Sequence, residues 1–452
     1  MLWNRTGRLT LACLATLILP AHADDAAVAR PATADRTFTH SLDNGLKIIV
    51  REDHRAPVMV AQVWYKVGST YETPGLTGVS HVLEHMMFKG TTKVPSGEFS
   101  KIIANYGGSE NAFTTYDYTG YYQLMSARNL PLSLELEADR MQNALIPEAE
   151  FAKELQVVKE ERRLRTDDDP NAQAYERFMA AAFLSSGYHN PIIGWMHDID
   201  RISAADVRKW HQLWYAPNNA ILIVVGDVKA QDVFELAARY FGPVPRRDVP
   251  TPQFNREVAG LGERRVTVEL PAKLPALLVG YNVPGINTGD ENEVYALRML
   301  AGVLDGGYSA RIETELVRRQ QIAASAGAGY SGFSLGDTLF YLSAVPSNGH
   351  SVSDLEAAIE EQLNRVQTEL PTPDELERVR AQILSGEIYQ QDSISSQANQ
   401  IGRMEAIGRS WEEADQFASK LARVTPEQIQ AVARKYLVSA RKTVTVLKPL
   451  PL

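Results

Sequence analysis

The chain has 452 residues, of which 44% are hydrophobic, 22% charged and 8% aromatic. This ordinary globular composition excludes a disordered, collagen-like or coiled-coil chain, and the length exceeds what one hydrophobic core usually supports. The formal net charge of -9 argues against nucleic acid as a partner.

The N-terminus has the pattern of a secretory signal peptide. Arg5 and Arg8 precede an apolar run over 9–19, and the small residues of Ala21-His22-Ala23 mark a cleavage site. We therefore predict a signal peptide over residues 1–23. An uncleaved membrane anchor is the alternative, but the run is too short to cross a bilayer comfortably.

A cleaved signal peptide has consequences for the mature chain. We predict a periplasmic or otherwise exported protein that begins with a flexible segment over 24–36 and has no transmembrane segment. The single cysteine, Cys13, lies within the signal peptide. The mature chain therefore has no thiol for catalysis, for zinc binding or for a disulfide.

Strand and helix patterns follow one another through the first half. Runs of β-branched and apolar residues predict strands over 46–50 and 58–64. Apolar residues at helical spacing predict the next elements. These are helices between Thr77 and Phe88, around 95–104, over 132–144, and from Pro147 to about Arg165, the last ended by Asp167-Asp-Asp-Pro170.

Two segments recur later in the chain at nearly the same offset. The helix start at Ser203 and the strand after it match Thr425 and its following strand, 222 residues later. Pro57-Val-Met-Val resembles Pro275-Ala-Leu-Leu at an offset of 218. We predict an α+β fold of two homologous domains, each a mixed, mostly antiparallel sheet packed with helices. The predicted limits are 37–241 for the first domain, 242–265 for a linker and 266–452 for the second domain.

His81-Val-Leu-Glu84-His85 is the most informative motif. On a helix, His81 and His85 share one face and can bind one metal ion, with Glu84 beside them. The surrounding helix is apolar, so burying these groups is costly unless a metal coordinates them. The pattern arises by chance roughly 0.01 times per chain of this composition and matches the inverted zinc-protease signature. A histidine pair merely hydrogen-bonded within a core is the alternative.

A third ligand is expected in the helix that follows Pro147. A catalytic zinc needs three protein ligands, and without cysteine the third must be Asp, Glu or His. At 100° per residue, Glu154 and Glu161 fall near the centre of the predicted inward face, whereas Glu160 points away. Five apolar residues define that face, namely Phe151, Leu155, Val157, Val158 and Leu164.

Helix phase therefore assigns different roles to these carboxylates. We predict that Glu161 ligates the metal and that Glu154, two turns earlier, orients a ligand imidazole. For Glu160, Arg162 and Arg163 we predict a solvated, charged face.

These motifs resemble the pitrilysin/insulinase family of zinc metallopeptidases, in the branch similar to mitochondrial processing peptidase. Glu161 follows His85 by 76 residues in a Glu-Glu-Arg-Arg context, as in that family. Gly107-Gly-x-x-Asn111-Ala-Phe-Thr114, followed by Asp117 and Tyr121, also resembles the family pattern. The similarity extends over nearly the whole mature chain and implies a processing-peptidase-like metallohydrolase fold.

The resemblance also implies how a substrate binds. In the family, the strand that corresponds to Asn111, Ala112, Phe113 and Thr114 pairs with the backbone of the peptide substrate. These residues have the strand character that such pairing requires. An ordinary sheet edge is the alternative.

The second half departs from the motif. With the 218-residue offset, His81, Glu84 and His85 correspond to Met299, Gly302 and Val303, so one Zn²⁺ per chain is expected. The family also has a substrate-contacting Arg/Tyr pair in this half, but here Ala324 stands at the tyrosine position. The arginine aligns ambiguously with 317–319, and Tyr330 lies nearby but out of register.

We therefore predict an exported zinc endopeptidase in which Glu84 is the general base toward a zinc-bound water. A catalytically silent or partner-dependent scaffold subunit is the alternative, and a peptide-binding module would not need Glu84. Because family members resembling pitrilysin enclose peptide between four such domains, a related second subunit is expected. A heterodimer is favoured by Ala324, and a homodimer in which Tyr330 substitutes is the alternative.

Overall fold

The computed structural model describes residues 36–251, 255–258 and 260–451, and these belong to one compact unit. The predicted signal peptide and the mature N-terminus through residue 35 lie outside the described residues. Within the described ranges, no helix is long and apolar enough to cross a bilayer.

Two mixed sheets form the framework. The first contains β1 (Thr37–Ser41), β2 (Lys47–Glu52), β3 (Val58–Tyr65), β4 (Ser109–Thr114), β5 (Thr119–Ser126) and β6 (Ala220–Gly226). The second contains β7 (Arg264–Pro271), β8 (Ala276–Val283), β9 (Ala323–Tyr330), β10 (Thr338–Pro346) and β11 (Lys442–Leu450). Their strand orders are β1-β2-β6-β3-β5-β4 and β7-β11-β8-β10-β9.

The second sheet repeats the first without β1, one of the two edge strands of the first sheet. In each sheet one parallel pair, β2 with β6 and β7 with β11, adjoins antiparallel strands. Val63 of β3 lies opposite Tyr121, and Tyr281 of β8, 218 residues after Val63, lies opposite Phe340. The predicted α+β fold of two related domains is confirmed. The strand β7 begins at Arg264, just inside the predicted linker.

Helices cover both sheets. The first half contains α1 (Val79–Met86), α2 (Glu98–Asn105), α3 (Leu130–Asn143), α4 (Glu148–Arg162), α5 (Pro170–Ala182), α6 (Met196–Ile199), α7 (Ala204–Trp214) and α8 (Ala230–Phe241). The second contains α9 (Glu291–Leu304), α10 (Val352–Thr368), α11 (Pro373–Gln391), α12 (Ile394–Ala406), α13 (Trp411–Asp415), α14 (Phe417–Ala422) and α15 (Pro426–Tyr436).

The helices α7 and α15, whose first residues indicated the repeat, begin with the same capping interaction. Ser203 and Thr425 each cap a helix through a side-chain oxygen, and the third residue of each helix bonds back to the cap. Such reciprocal capping satisfies amides that the first helical turn leaves free. Equivalent residues therefore begin α7 and α15, as the sequence predicts.

The two halves exchange helices, in the sense that one helix from each half packs on the sheet of the other. The helix α5, from the first half, packs on β7, β8 and β11 of the second sheet. The helix α12, from the second half, packs on β3 and β6 of the first sheet. The contacts are close, because Phe178 of α5 lies over Gly280 and Trp64 of β3 lies against Gly402 of α12.

We expect Gly402→Ala to destabilise the protein. A Cβ atom there would lie 2.2 Å from the Cε2 atom of Trp64, whose ring is 2% exposed. Overpacking of this kind costs about 1–3 kcal/mol. The matched control is Gly386→Ala in α11, where no heavy atom lies within 4 Å of the added Cβ. The control should stabilise by up to about 1 kcal/mol through helix propensity. Urea unfolding midpoints that move equally in both variants would contradict the packing argument.

Candidate active site

Three possible metal ligands come together between α1 and α4. The Nε2 atoms of His81 and His85 lie 3.8 and 3.3 Å from Oε2 of Glu161. One ligand atom from each of the three residues lies within 4.8 Å of the others. The apolar residues of α1 are buried in the core of the first half, which fixes the face that bears the histidines.

Glu154, on the buried face of α4, contacts the imidazole of His85. Oε1 of Glu154 lies 2.9 Å from Nδ1 of His85, and its Oε2 accepts a 2.6 Å hydrogen bond from Lys89. With Nδ1 engaged in this way, Nε2 of His85 is directed toward Glu161. Burial lowers the pKa of His85, but hydrogen bonds with Glu154 and Glu161 outweigh that effect and raise it.

The two carboxylate oxygens of Glu161 have different partners, one the guanidinium of Arg165 and the other the two histidines. Its Oε1 pairs with Arg165 at 2.6 Å, whereas its Oε2 faces His81 and His85. Hydrogen bonding to His85 is the main cause that lowers the pKa of Glu161. Burial is the main cause that lowers the pKa of His81, and the neighbouring His85 lowers it further.

This cluster suits zinc. Two nitrogens and one carboxylate oxygen are a donor set found in catalytic zinc sites, which keep a further position for water. Tetrahedral ligands about 2.0–2.1 Å from a zinc ion lie about 3.4 Å from each other. The distances from Glu161 to the two imidazoles are 3.3 and 3.8 Å, close to that value.

Glu84 lies on the same helix and faces the edge of the first sheet. The hydroxyl of Thr114, the last residue of β4, donates a hydrogen bond to Oε2 of Glu84. Burial raises the pKa of Glu84 above its ordinary value, and the bond from Thr114 opposes the increase. A carboxylate whose pKa is raised toward neutrality is a stronger base near pH 7.

The predicted substrate strand is one of the two edge strands of its sheet. Asn111, Ala112, Phe113 and Thr114 all lie on β4, which is paired with β5 at the sheet edge. Oδ1 of Asn111 accepts from the amide of Ala112, and the ring of Phe113 packs edge-on against Trp64. These side chains have partners within the fold, so the backbone is the part of β4 that suits pairing with a peptide.

The sequence-based description of α4 was partly wrong. Val157 and Leu164, assigned to the inward face, are 50% and 72% exposed. The helix ends at Arg162, short of the predicted Arg165, and a π-helical turn over Arg163–Asp167 changes the phase. Arg162, predicted to be solvated, is 4% exposed and pairs with Glu176.

Other predicted positions in α4 agree with the structure. Phe151, Leu155 and Val158 are buried, and Glu154 lies on the same face. Glu160 is exposed and pairs with Arg163. The pairing of Glu161 with Arg165 was not predicted, although their spacing of four residues is a signal for it.

The second half offers no equivalent cluster among the described residues. Met299, Gly302 and Val303 are buried in α9, the counterpart of α1. Ala324 is exposed on β9, an edge strand of the second sheet. Tyr330 is 6% exposed, and its hydroxyl donates to the carbonyl of Pro284 at 2.6 Å. This phenol is therefore buried and already hydrogen-bonded within the fold.

Neutralising the carboxylate behind His85 should weaken metal binding. Glu154→Gln removes the negative charge that orients His85 and pairs with Lys89. Substituting such an outer partner typically lowers metal affinity by about 10–100-fold. Chelator competition measures the zinc dissociation constant. The control is Glu150→Gln, one turn earlier, where the carboxylate pairs with Lys153. Equal zinc affinity in both variants would remove Glu154 from this role.

Two related α+β halves, with a His-His-Glu cluster in the first, define the class of two-domain metallopeptidase-like proteins. The family model for insulinase (peptidase family M16) matches residues 47–194, and the model for the peptidase M16 inactive domain matches 201–383. The chain belongs to the insulinase family of peptidases.

Named relatives agree with this assignment. Zinc protease PqqE of Helicobacter pylori is 40% identical over 291 residues, 63% of this chain and 65% of that protein. An uncharacterized zinc protease of Streptomyces coelicolor is 27% identical over 91% of this chain and 89% of its own length. The chain thus spans about two thirds of PqqE and most of the Streptomyces protein.

Solved structures show the same fold. A protease from Helicobacter pylori superposes with a TM-score of 0.86 at 32% identity, over 91% of this chain and 99% of that one. The periplasmic protease PqqL from Escherichia coli superposes with a TM-score of 0.78 at 19% identity, and this chain covers 48% of it. At that identity, the likeness to PqqL concerns the fold alone.

Proposed function

We propose that the protein is an exported, zinc-dependent endopeptidase with one Zn²⁺ per chain. The observation that carries this proposal is the convergence of His81, His85 and Glu161, with Glu84 on the same helix as the two histidines. A purely structural metal site would not need the additional carboxylate. The names of the zinc protease relatives support the choice of metal. The signal-peptide pattern of residues 1–23 supports export to the periplasm or beyond.

Each residue has a distinct task in the proposed reaction. His81, His85 and Glu161 would hold zinc, which when bound supplies a Lewis acid that polarises a carbonyl and acidifies water. Glu84 takes a proton from the attacking water and then passes it to the leaving amine. Glu154 keeps His85 in the orientation that presents Nε2.

The substrate would be a peptide in extended conformation beside β4. Backbone hydrogen bonds to an edge strand bind a peptide with little dependence on its sequence. Thr114 joins this strand to Glu84, so a peptide paired with β4 would lie next to the base. Asn111, Ala112, Phe113 and Thr114 are the proposed substrate-binding residues.

A related second subunit would complete the site. The chain covers 48% of PqqL, so the fold of the chain corresponds to about half of that protein. Ala324 has no phenol to contact a substrate, and the hydroxyl of Tyr330 is bonded to Pro284. A heterodimer is therefore the favoured assembly, because a different subunit could supply the missing side chain. The specific alternative is a partner-dependent or silent scaffold subunit, which Ala324 supports and the intact metal cluster opposes.

The test uses the purified mature chain, alone and with proteins that co-purify with it. We expect about one zinc per chain by elemental analysis, and hydrolysis of unstructured peptides that a chelator abolishes and added zinc restores. Light scattering reports whether activity accompanies a dimer. A chain that binds no zinc would overturn the proposal. A zinc-loaded chain inactive under every condition would favour the scaffold role. A fully active monomer would overturn the need for a second subunit.

A further inference from the structure

The helix that carries His81 and His85 begins without a capping side chain of its own. Its N-cap residue is Gly78, with a φ of 90°. The carboxylate of Glu72 accepts hydrogen bonds from the amides of Gly78 and Ser80 at 2.7 and 2.8 Å. Thr77, just before the helix, donates to Asp198 at 2.6 Å. The start of α1 is thus held by groups from outside the helix.

At the start of α1, the backbone also comes unusually close to the backbone of the loop around residues 193–194. A Cβ atom added to Gly78 would lie 2.4 Å from the carbonyl oxygen of Ile193. A Cβ atom added to Gly194, whose φ is 89°, would lie 2.4 Å from the carbonyl oxygen of Thr77. Neither glycine can be replaced without moving the loop around 193–194 away from α1.

The same loop is bound by the end of α4. Nη1 of Arg162 donates to the carbonyl oxygen of Gly194 at 2.8 Å, while both terminal nitrogens pair with Glu176 at 2.8 and 3.0 Å. Arg162 directly follows Glu161 in the sequence. A continuous path of contacts therefore runs from the Glu161 end of α4, through Gly194, to the first residues of α1.

We propose that Arg162, Gly194 and Gly78 form an α1–α4 clasp that sets the spacing of His81 and His85 from Glu161. This inference rests on the zinc site proposed above. Arg162 is a positioning residue, because it acts through the backbone of Gly194. Its planar fork can bind a carboxylate and a carbonyl at once, which the single ammonium group of lysine reproduces poorly.

Metal geometry explains why such a clasp is needed. Ligand distances in a zinc site are tolerated within about 0.2 Å, whereas each residue of a helix rises about 1.5 Å along its axis. His81 and Glu161 lie on separate helices, so a small slide of α1 along α4 would exceed that tolerance. A polar, directional contact fixes the slide more closely than apolar packing does.

The test compares two clasp variants with two matched controls. Arg162→Lys keeps the charge but loses the fork, and Gly194→Ala leaves every charge in place. The controls are Arg163→Lys, which alters an exposed neighbour paired with Glu160, and Gly97→Ala. Gly97 also has a positive φ, 78°, and also precedes a helix, but no heavy atom lies within 4 Å of an added Cβ.

Zinc affinity is measured by chelator competition, and site geometry by the visible spectrum of the Co²⁺-loaded chain. We expect the clasp variants to lose about 10–100-fold in zinc affinity, as for other outer partners of metal ligands, and to show a shifted Co²⁺ spectrum. The controls should match wild type in both. Circular dichroism of the metal-free chains shows whether each variant folds.

The possible outcomes separate the clasp from the proposed function. If the wild-type chain binds no zinc, the proposed function fails first. If it binds zinc and the clasp variants match it in affinity and spectrum, the clasp is wrong. It is also wrong if the controls lose as much zinc, or if the clasp variants fail to fold while the controls fold, because the role would then be general stability.

Discussion

Glu84→Gln should retain zinc but lose peptide hydrolysis. The substitution leaves His81, His85 and Glu161 unchanged and replaces the carboxylate with an amide that cannot take a proton from water. General base catalysis typically contributes about 10²–10⁴-fold, so kcat should fall by at least about 100-fold. Elemental analysis and peptide hydrolysis, measured on the same preparation, check both parts.

Two further variants show whether the loss belongs to the base itself. Glu84→Asp keeps a carboxylate but shortens its reach, so it should retain more activity than Glu84→Gln while remaining well below wild type. Glu98→Gln, in α2, changes the net charge equally at an exposed pair with Lys101 and should leave kcat unchanged. Substantial turnover by zinc-loaded Glu84→Gln would remove Glu84 from the proposed role.

Glu161→Gln should abolish tight zinc binding, whereas Glu160→Gln should not affect it. The two residues are adjacent, but the side chain of Glu161 is 16% exposed and faces both imidazoles, whereas that of Glu160 is 62% exposed. Loss of an outer partner alone costs about 10–100-fold in metal affinity, so loss of a ligand should cost more than about 100-fold. Chelator competition on both variants provides the measurement.

This pair is its own control, because the same chemical change is made at neighbouring positions of one helix. Equal loss of zinc in the two variants would show that charge near the site matters and that the orientation of the side chain does not. Loss in neither variant would require a different third ligand. Either result would remove Glu161 from the proposed ligand set.

Much of the architecture could be predicted because it depends on local patterns. The capping residues Ser203 and Thr425, followed by β-branched strands, identified the repeat that the two sheets share. The spacing of His81 and His85 places both on one helical face whatever surrounds them. Helix phase also distinguished the largely buried Glu161 from the exposed Glu160, although it assigned Val157 of the same helix to the wrong face.

The remainder depends on contacts between distant segments. Arg162 was predicted to be solvated because its partners, Glu176 and the Gly194 carbonyl, are identified only by the fold. Leu164 was assigned to the wrong face because the turn after Arg162 is π-helical, and a constant 100° step does not describe it. The bond from Thr114 to Glu84 joins a strand to a helix 30 residues earlier, which periodicity does not reveal.

The exchange of α5 and α12 makes the stability of each half depend on the other. Trp64 and the strand β6 lie on a face of the first half that is covered by α12. Deleting the second half would therefore uncover apolar surface on the first and invite aggregation. The close approach of Gly402 to Trp64 thus makes a residue of the second half important for the stability of the first. Because α5 in turn covers β7, β8 and β11 of the second sheet, each half needs the other to keep its own apolar surface out of water.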